Sequence, residues 1–296
     1  MEGISEFLPI SSTGHLILTS EILKIPESDF LKTFEISIQL GAILSVVVLY
    51  WRKLLVEWGI MKRIIIAFIP TGILGLVFYK IIKTYLMGNQ AVVLWALFLG
   101  GIFLIVFEFF YKKREILKPS SSAGRQVQSL LSTKLTNGDE KRISTEKGTL
   151  KGTHTDEILP PLHTPSQAEG EIFEISYKKS FLIGVFQSIS MIPGVSRSAA
   201  TIIGGLMLGI SRQTIVEFSF LLAAPTMAAA TGLDLIKNAS SFNLNQFGIL
   251  AVGFIVSFLI ALASIKWLLK FIKNHSFISF GVYRIIVAVL FWLVVL

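Results

Sequence analysis

The stretch EGISEFLPISSTGHLIL, residues 2–18, decides how the chain folds. It is apolar enough to enter a membrane, but Glu2, Glu6 and Pro9 interrupt it, and serines open a new apolar run after the proline. Proline ends a helix, and serine before an apolar run is typical of a helix N-cap. Broken backbone at membrane depth is tolerated only beside protein or a water-filled cavity. The stretch therefore predicts a re-entrant hairpin over residues 1–22 with a polar cavity at its break.

A second broken stretch, IPGVSRSAATIIGG, lies in the other half of the chain. Pro193 and Gly194 interrupt an apolar run, and the serines that follow open the next one. By the same reasoning we predict a second re-entrant hairpin over residues 180–210. A constant offset aligns residues 2–12 with residues 187–197. The alignment matches three pairs of identical residues, which are Ile4 with Ile189, Ser5 with Ser190 and Ser11 with Ser196.

The composition indicates an integral membrane protein. Of the 296 residues, 53% are hydrophobic and 16% are charged, and the mean hydropathy is +0.70. Lys and Arg outnumber Asp and Glu by 27 to 19, but they form no basic stripe with interleaved aromatics. We therefore interpret the net charge of +8 as membrane-surface charge and expect no nucleic-acid partner. The lack of cysteine excludes disulfides, thiolate nucleophiles and cysteine-based metal sites.

Six unbroken apolar runs are long enough to cross a hydrocarbon core of about 30 Å. They cover residues 34–50, 64–79, 91–111, 214–235, 247–265 and 277–296. Lys and Arg concentrate after the first and third runs and before the last, which predicts that those loops are cytoplasmic. The segment 112–179 is one of them, and its polar, turn-rich composition predicts disorder.

These elements predict an all-α polytopic membrane protein with an inverted-topology repeat. Residues 1–111 form the first repeat and residues 180–296 the second, joined by the cytoplasmic loop 112–179. Each repeat is a re-entrant hairpin followed by three transmembrane helices. Because three is odd, the second repeat is inverted and the two hairpins enter from opposite sides. Such repeats with broken helices place a binding site near the midplane between the halves.

The polar residues at the two breaks are the candidate site. Glu2 and Glu6 are one helical turn apart and share a face near the first break. Ser11, Ser12, Thr13 and His15 follow at the start of the next helix, and Ser196, Arg197 and Ser198 occupy the second break. Free backbone N–H groups at helix starts favour anions, and a guanidinium fork suits phosphate oxygens. The two breaks therefore indicate a binding site for an anion, of which phosphate is the simplest.

Other polar residues in the apolar runs are predicted to be structural. Serine in a membrane helix more often packs than reacts, so only the combination at the breaks indicates function. Glu108 lies near the cytoplasmic end of its span, and we interpret Arg284 as a salt-bridge or headgroup partner. His275 is predicted to be solvated in a short loop.

The two broken stretches closely resemble the signature regions of the bacterial undecaprenyl-diphosphate phosphatase family, also known as bacitracin-resistance proteins. FEISIQLGAILSVVVLYW at 34–51 and EFSFLLAAPTMAAA at 217–230 are also similar, so the resemblance covers most of the chain outside 112–179. It implies six spans with two opposed re-entrant regions. It also implies a site made of an ExxxE pair, a serine–histidine group and a PGxSRSxxT motif. These motifs correspond here to Glu2 and Glu6, to Ser11, Ser12, Thr13 and His15, and to Ser196, Arg197, Ser198 and Thr201.

The resemblance implies the reaction as well. Undecaprenyl diphosphate would be hydrolysed to undecaprenyl phosphate and phosphate in the bacterial plasma membrane, which recycles the lipid carrier for peptidoglycan synthesis and confers bacitracin resistance. We predict Ser12 as the nucleophile, His15 as its acid–base partner or as base for a water, and Arg197 as the group that stabilises phosphoryl charge. Glu2 and Glu6 are predicted to hold a divalent cation, magnesium or calcium. The alternative is that one of them is a general base, and Glu6 is the preferred direct participant.

The chain departs from the family pattern in two places. Met1 directly precedes Glu2 where the family usually has an apolar helical stretch, so we expect a short first arm, from a misassigned start or a truncation. The loop 112–179 is longer and more polar than the usual connection. The sequence leaves open the oligomeric state and the membrane face to which the cavity opens.

Two other interpretations compete with this one. Acid phosphatases with PSGH and SRxxxxxH motifs are superficially similar, but they need a second histidine soon after the Ser-Arg pair, and none follows Arg197 before His275. The alternative from another class is a polyprenyl-phosphate transporter or flippase with the same cavity. Broken helices in inverted repeats are typical of alternating access.

Overall fold

The computed structural model of the chain describes residues 1–26, 28–86, 89–116, 172–237 and 247–295, and every regular element in these residues is helical. A π-helical turn, Ile82–Leu86, and a 3-10 turn, Ile189–Met191, accompany the α-helices. The α-helices are α1 Glu2–Ser5, α2 Ser12–Ile22, α3 Asp29–Leu55, α4 Trp58–Ile81, α5 Gln90–Ile116, α6 Tyr177–Ser188, α7 Arg197–Met207, α8 Arg212–Lys237, α9 Phe247–Phe271 and α10 Ile278–Val295.

Five of these helices are long and apolar enough to cross a membrane. They are Asp29–Leu55, Trp58–Phe78, Gln90–Lys113, Arg212–Ile236 and Phe247–Phe271. Four of the first five predicted spans fall within them, and the other, 64–79, extends one residue beyond Phe78, so the prediction of an all-α, multi-pass membrane protein is confirmed. The sixth predicted span coincides with α10, whose apolar part, Ile278–Leu293, is shorter than the others.

The predicted connecting loop is shorter than expected at both ends. α5 continues to Ile116 and α6 begins at Tyr177. Residues 117–171, on which the prediction of disorder falls, lie outside the described residues. The chain divides into two compact units, Met1–Glu108 with Pro165–Leu296, and Phe109–Thr164. The packing and the site described below belong to the first unit.

Both predicted breaks are present. Residues 6–11 separate α1 from α2, and residues 189–196 separate α6 from α7. α1 packs on α9 and α3, whereas α6 packs on α4. Each first arm therefore rests on a helix from the other half of the chain.

Glycines mark the places where helices approach most closely. A Cβ at Gly184 in α6 would lie 1.9 Å from the carbonyl oxygen of Ala67 in α4, and one at Gly41 in α3 would lie 2.3 Å from that of Phe254 in α9. α5 and α10 meet through Gly101 and Gly281. A Cβ at either glycine would lie 2.7 or 2.8 Å from the other's carbonyl oxygen. Small residues thus allow backbone-to-backbone packing in the membrane.

The contact at Gly184 predicts a specific loss of stability. Gly→Ala in a helix normally stabilises by roughly 0.5–1 kcal/mol. Gly184→Ala should instead destabilise by about 1–3 kcal/mol, because backbone must move to admit the methyl group. The measurement is the thermal midpoint of the detergent-purified protein, with Gly232→Ala as control, since a Cβ there meets no atom within 4 Å. Equal rises in both midpoints would contradict the packing of α6 on α4.

Candidate active site

The first break ends at a serine N-cap. Ser11 accepts a hydrogen bond from the backbone N–H of Gly14 at 3.4 Å, and Ser12 is the first residue of α2. Ser11 has φ +73°, a left-handed conformation that costs energy for a residue other than glycine. The break therefore aims the N-terminus of α2 in a direction that ordinary backbone would not take.

The second break ends in the same way. Ser196 accepts a hydrogen bond from the backbone N–H of Ala199 at 3.2 Å, and Arg197 is the first residue of α7. α2 and α7 each have 11 residues. The aligned pair Ser11 and Ser196 therefore has one local role in both halves of the chain.

Serines of the second break hold the backbone of the first. The Ser198 hydroxyl donates to the carbonyl oxygen of Leu8 at 2.8 Å. The Ser196 hydroxyl lies 3.0 Å from that of Ser198 and 3.5 Å from the same carbonyl. All three groups are buried. The two breaks are thus in direct contact.

Arg284 joins both breaks from α10. Its guanidinium donates to four backbone carbonyl oxygens, with distances of 3.3 Å to Leu97, 3.0 Å to Ala96, 3.1 Å to Gly194 and 3.5 Å to Pro9. The side chain is 1% exposed. The expected salt bridge or headgroup contact is not what the described residues show. Two of its acceptors, Pro9 and Gly194, lie in the breaks, where carbonyls lack helical donors, and the other two lie within α5.

Glu6 is the centre of the polar cluster. Its Oε2 accepts a short hydrogen bond from the Ser12 hydroxyl, and its Oε1 accepts from Nη2 of Arg197 at 2.9 Å. The three side chains come from α1's end, α2 and α7. A carboxylate thus lies between a hydroxyl from one half of the chain and a guanidinium from the other.

Arg197 keeps donors free. Its Nε and Nη1 are buried and have no hydrogen-bond partner within the described residues. The side chain is 13% exposed. Unused guanidinium N–H groups on Nε and Nη1 can each donate to an oxygen of a phosphate.

Glu2 is a second orphaned group. It is 2% exposed, and neither carboxylate oxygen has a hydrogen-bond partner in the part of the chain that the structure describes. The charged groups that act on it are the Glu6 carboxylate, the α-amino group of Met1 and Arg197. Unpaired buried carboxylate oxygens beside a second carboxylate fit a divalent cation, which is held by one or two carboxylates together with substrate phosphates. Among the described residues, no group of three or more acidic or histidine side chains could hold a metal ion.

His15 contacts groups other than Ser12. Its Nδ1 donates to the carbonyl oxygen of Ser11 at 2.7 Å, and its Nε2 lies 2.9 Å from the hydroxyl of Tyr283. A carbonyl can only accept, so Nδ1 carries a proton and the neutral ring accepts from tyrosine at Nε2. Both ring nitrogens are therefore engaged, and the role of His15 as acid or base stays a prediction.

The predicted phosphate-binding hydroxyls differ in position. Ser11, Ser196 and Ser198 are buried and bind backbone groups, as described above. Thr201 is fully buried, with its hydroxyl 2.9 Å from the carbonyl oxygen of Arg197. Thr13 is exposed on α2. Their contact with phosphate stays a prediction.

Ion pairs away from the breaks agree with structural roles. Glu108 accepts from Arg212 at 2.6 Å, and Glu217 accepts from Lys53 at 2.6 Å. His275 is exposed, and its ring stacks on Phe271.

Sequence reasoning missed two residues that contact the cluster. Tyr283 binds His15, and Gln187 binds Thr201 at 3.3 Å. The sequence carries a signal only for Gln187, which is a polar residue within an apolar run, as Arg197 is. Tyr283 lies among apolar residues near the end of the chain, where tyrosine is unremarkable.

The fold and the cluster define a class of protein. It is an all-helical, multi-pass membrane protein whose buried acidic, basic and hydroxyl groups meet at two helix breaks. The family model described as "Bacitracin resistance protein BacA" matches residues 1–290, and the chain belongs to this family.

Similar proteins match over nearly their full length. A protein of Sulfurihydrogenibium sp. (strain YO3AOP1) is 47% identical over 293 residues, which is 99% of this chain and 95% of that protein. One of Aquifex aeolicus (strain VF5) is 47% identical over 291 residues, 98% and 93% respectively. One of Persephonella marina is 44% identical over 296 residues, 100% and 96%. All three are named undecaprenyl-diphosphatase.

The contacts of Arg284 predict that the breaks depend on it. Arg284→Lys keeps the charge, but a lysine ammonium cannot reach all four carbonyl oxygens. Because buried carbonyls then lose their donors, the free energy of unfolding should fall by about 2–4 kcal/mol. The measurement is the thermal midpoint in detergent, with the exposed Arg52→Lys as control. A midpoint equal to that of the unaltered protein would contradict the contacts described.

Proposed function

We propose that the chain is a membrane-embedded undecaprenyl-diphosphatase, which hydrolyses undecaprenyl diphosphate to undecaprenyl phosphate and inorganic phosphate. The relatives' names supply the substrate. The single observation that carries the chemistry is Glu6 between the Ser12 hydroxyl and Arg197. Phosphoryl transfer needs a nucleophile that is hydrogen-bonded to a base and lies near a positively charged group with unused hydrogen-bond donors.

The proposed first step is attack by Ser12 on the terminal phosphorus. The Ser12 oxygen forms a bond to that phosphorus while the bond from the phosphorus to the bridging oxygen breaks. The hydroxyl proton passes to Glu6, and undecaprenyl phosphate leaves. Water then attacks the phosphoserine, inorganic phosphate departs, and Ser12 regains a proton. Glu6 is preferred to His15 as the base because Ser12 donates to Glu6, whereas both ring nitrogens of His15 have other partners.

Charge stabilisation is assigned to Arg197 and to the helix starts. The free Nε and Nη1 of Arg197 would bind oxygens of the transferring phosphoryl group. The N-termini of α2 and α7 add partial positive charge at the same place. Preorganised donors of this kind act without reorganisation in a site that excludes water.

A divalent cation, magnesium or calcium, would be held by Glu2 together with Glu6. When bound, it would supply positive charge that offsets the negative charge of the carboxylates and the diphosphate. Glu6 is already paired with Arg197, so the orphaned oxygens of Glu2 are the main protein ligands. With the cation bound, the carboxylate of Glu2 would not repel the diphosphate.

The proposed topology is six spans and two re-entrant hairpins in opposite orientation. α10 is the sixth span. Support comes from the matching caps Ser11 and Ser196, from the reciprocal packing of α1 on α9 and of α6 on α4, and from the mutual contact of Gly101 and Gly281. These pairs are related as an inverted repeat would relate them.

The cellular assignment follows from topology and family. The protein would lie in the bacterial plasma membrane, with segment 112–179 cytoplasmic because Lys and Arg favour that side. The polyprenyl tail of the substrate would remain in the bilayer. The product re-enters cell-wall synthesis as lipid carrier, and removal of the diphosphate leaves less of it for bacitracin. The transporter alternative has no support in the names of the relatives, which are those of a phosphatase.

Substitutions of the proposed nucleophile, Ser12, and of the guanidinium of Arg197 test the proposal. Ser12→Ala should lower phosphate release from undecaprenyl diphosphate by at least about 10³-fold. Arg197→Lys should lower it by about 10²-fold, because the charge remains but the fork is lost. The measurement is inorganic phosphate released by detergent-purified protein, with Ser20→Ala as control. Full activity of Ser12→Ala would overturn the nucleophile, and a folded but inactive starting chain would overturn the phosphatase.

Removal of metal tests the cation. Chelation should abolish phosphate release, and added magnesium or calcium should restore it. Glu2→Gln should raise the cation concentration needed for half-maximal activity, whereas Glu21→Gln, an exposed acid on α2, should leave it unchanged. Undiminished activity after exhaustive chelation would remove the cation from the mechanism.

A further inference from the structure

Gln187 lies in the last turn of α6, next to the second break, and is fully buried. Its Nε2 lies 3.1 Å from the hydroxyl of Thr71 in α4 and 3.1 Å from that of Thr226 in α8. Its Oε1 lies 3.3 Å from the hydroxyl of Thr201 in α7. One amide therefore connects four helices.

The direction of these hydrogen bonds is determined by the threonines. The Thr71 hydroxyl donates to the carbonyl oxygen of Gly184 at 3.1 Å, and that of Thr226 donates to Leu222 at 2.6 Å. A hydroxyl has a single proton, so both must accept from Gln187. The amide nitrogen with its two protons meets this need, and a carboxylate would not.

Each of the two threonines directly follows a proline inside a long helix. Thr71 follows Pro70 inside α4, and Thr226 follows Pro225 inside α8. Proline in a helix removes a backbone hydrogen bond and loosens the helix at that point. Gln187 thus attaches to one such point in each half of the chain.

The other side of the amide leads to Arg197. Thr201, one turn after Arg197 in α7, can donate its single hydroxyl proton either to Gln187 Oε1 at 3.3 Å or to the carbonyl oxygen of Arg197 at 2.9 Å. The backbone carbonyl oxygen of Gln187 accepts a hydrogen bond from the Ser190 hydroxyl in the 3-10 turn at 2.7 Å. Gln187 therefore holds both the break and the first turn of the helix that carries the guanidinium.

We infer that Gln187 is a positioning residue for Arg197. Within the described residues it makes no hydrogen bond to Glu6 or to the guanidinium, and it acts by anchoring the start of α7 to the proline-containing points of α4 and α8. The inference rests on the proposed function, since it assigns the anchor of that site's cation. The reaction needs Arg197 aligned with Glu6 and phosphate, and a displacement of about 1 Å can cost on the order of 10²-fold in rate.

The test substitutes the amide by a group of equal shape. Gln187→Glu removes both donors and should lower kcat by about 10- to 100-fold with little change in KM. Gln213→Glu, an exposed residue in the first turn of α8, is the matched control and should leave both constants unchanged. Thr226→Val should give a smaller loss in the same direction, and Thr226→Ser, which keeps the hydroxyl, should restore activity.

A double-mutant cycle separates positioning from general destabilisation. In an Arg197→Lys background, Gln187→Glu should cost less than about 3-fold, because residues that act as one unit are not additive. If the activity loss of the double variant equals the product of the two single-variant losses, the inference is overturned. Full activity of folded Gln187→Glu protein would overturn it as well.

A second measurement does not require turnover. Amide hydrogen exchange in peptides that cover Arg197–Met207 should accelerate several-fold in Gln187→Glu and remain unchanged in Gln213→Glu. Unchanged exchange in Gln187→Glu would overturn the anchor even if the unaltered chain proved inactive. Phosphate release by the unaltered chain decides the proposed function separately.

Discussion

A membrane offers no water to a broken helix, so every carbonyl that a break exposes must find a donor inside the protein. This requirement organises the site. The carbonyl oxygens of Leu8, Pro9 and Gly194 receive their donors from Ser198 and Arg284. Because these donors come from other parts of the chain, satisfying the backbone also fixes the two breaks against each other. The meeting of the reactive groups is a consequence of that folding requirement.

The balance of charge follows from the same geometry. Glu6 is tolerated in a buried place because Arg197 pairs with it, whereas Arg284 is compensated by carbonyl dipoles among the described residues. A diphosphate need not displace Glu6 from Arg197, since Nε and Nη1 of that guanidinium are unused. Within the described residues, the carboxylate of Glu2 makes no hydrogen bond. A cation that arrives with the substrate would complete the balance that the protein alone leaves open.

The sequence predicts the breaks well and their partners poorly. Proline, glycine and serine act on neighbouring backbone, so the caps Ser11 and Ser196 could be located from the sequence alone. Spans could be located because apolar length is a local property. The partner of His15 is 268 positions away, at Tyr283, and no local pattern indicates it. The same holds for Arg284, whose four acceptors are backbone atoms that carry no sequence signal.

The proposed inverted repeat would explain how two capped helix starts of the same form carry different reactive groups. The offset that pairs Ser11 with Ser196 also pairs Ser12 with Arg197, and each of these is the first residue of a capped helix of 11 residues. The first residues of the two helices thus both bind Glu6. A single change of side chain between the halves gives a hydroxyl on one side and a guanidinium on the other. Glu6, which binds both, needs no counterpart in the second half, where Met191 aligns with it. In the proposed repeat, the similar backbone of the two halves would bring the two helix starts together, and the different side chains at their first positions would supply the hydroxyl and the guanidinium that the proposed reaction needs.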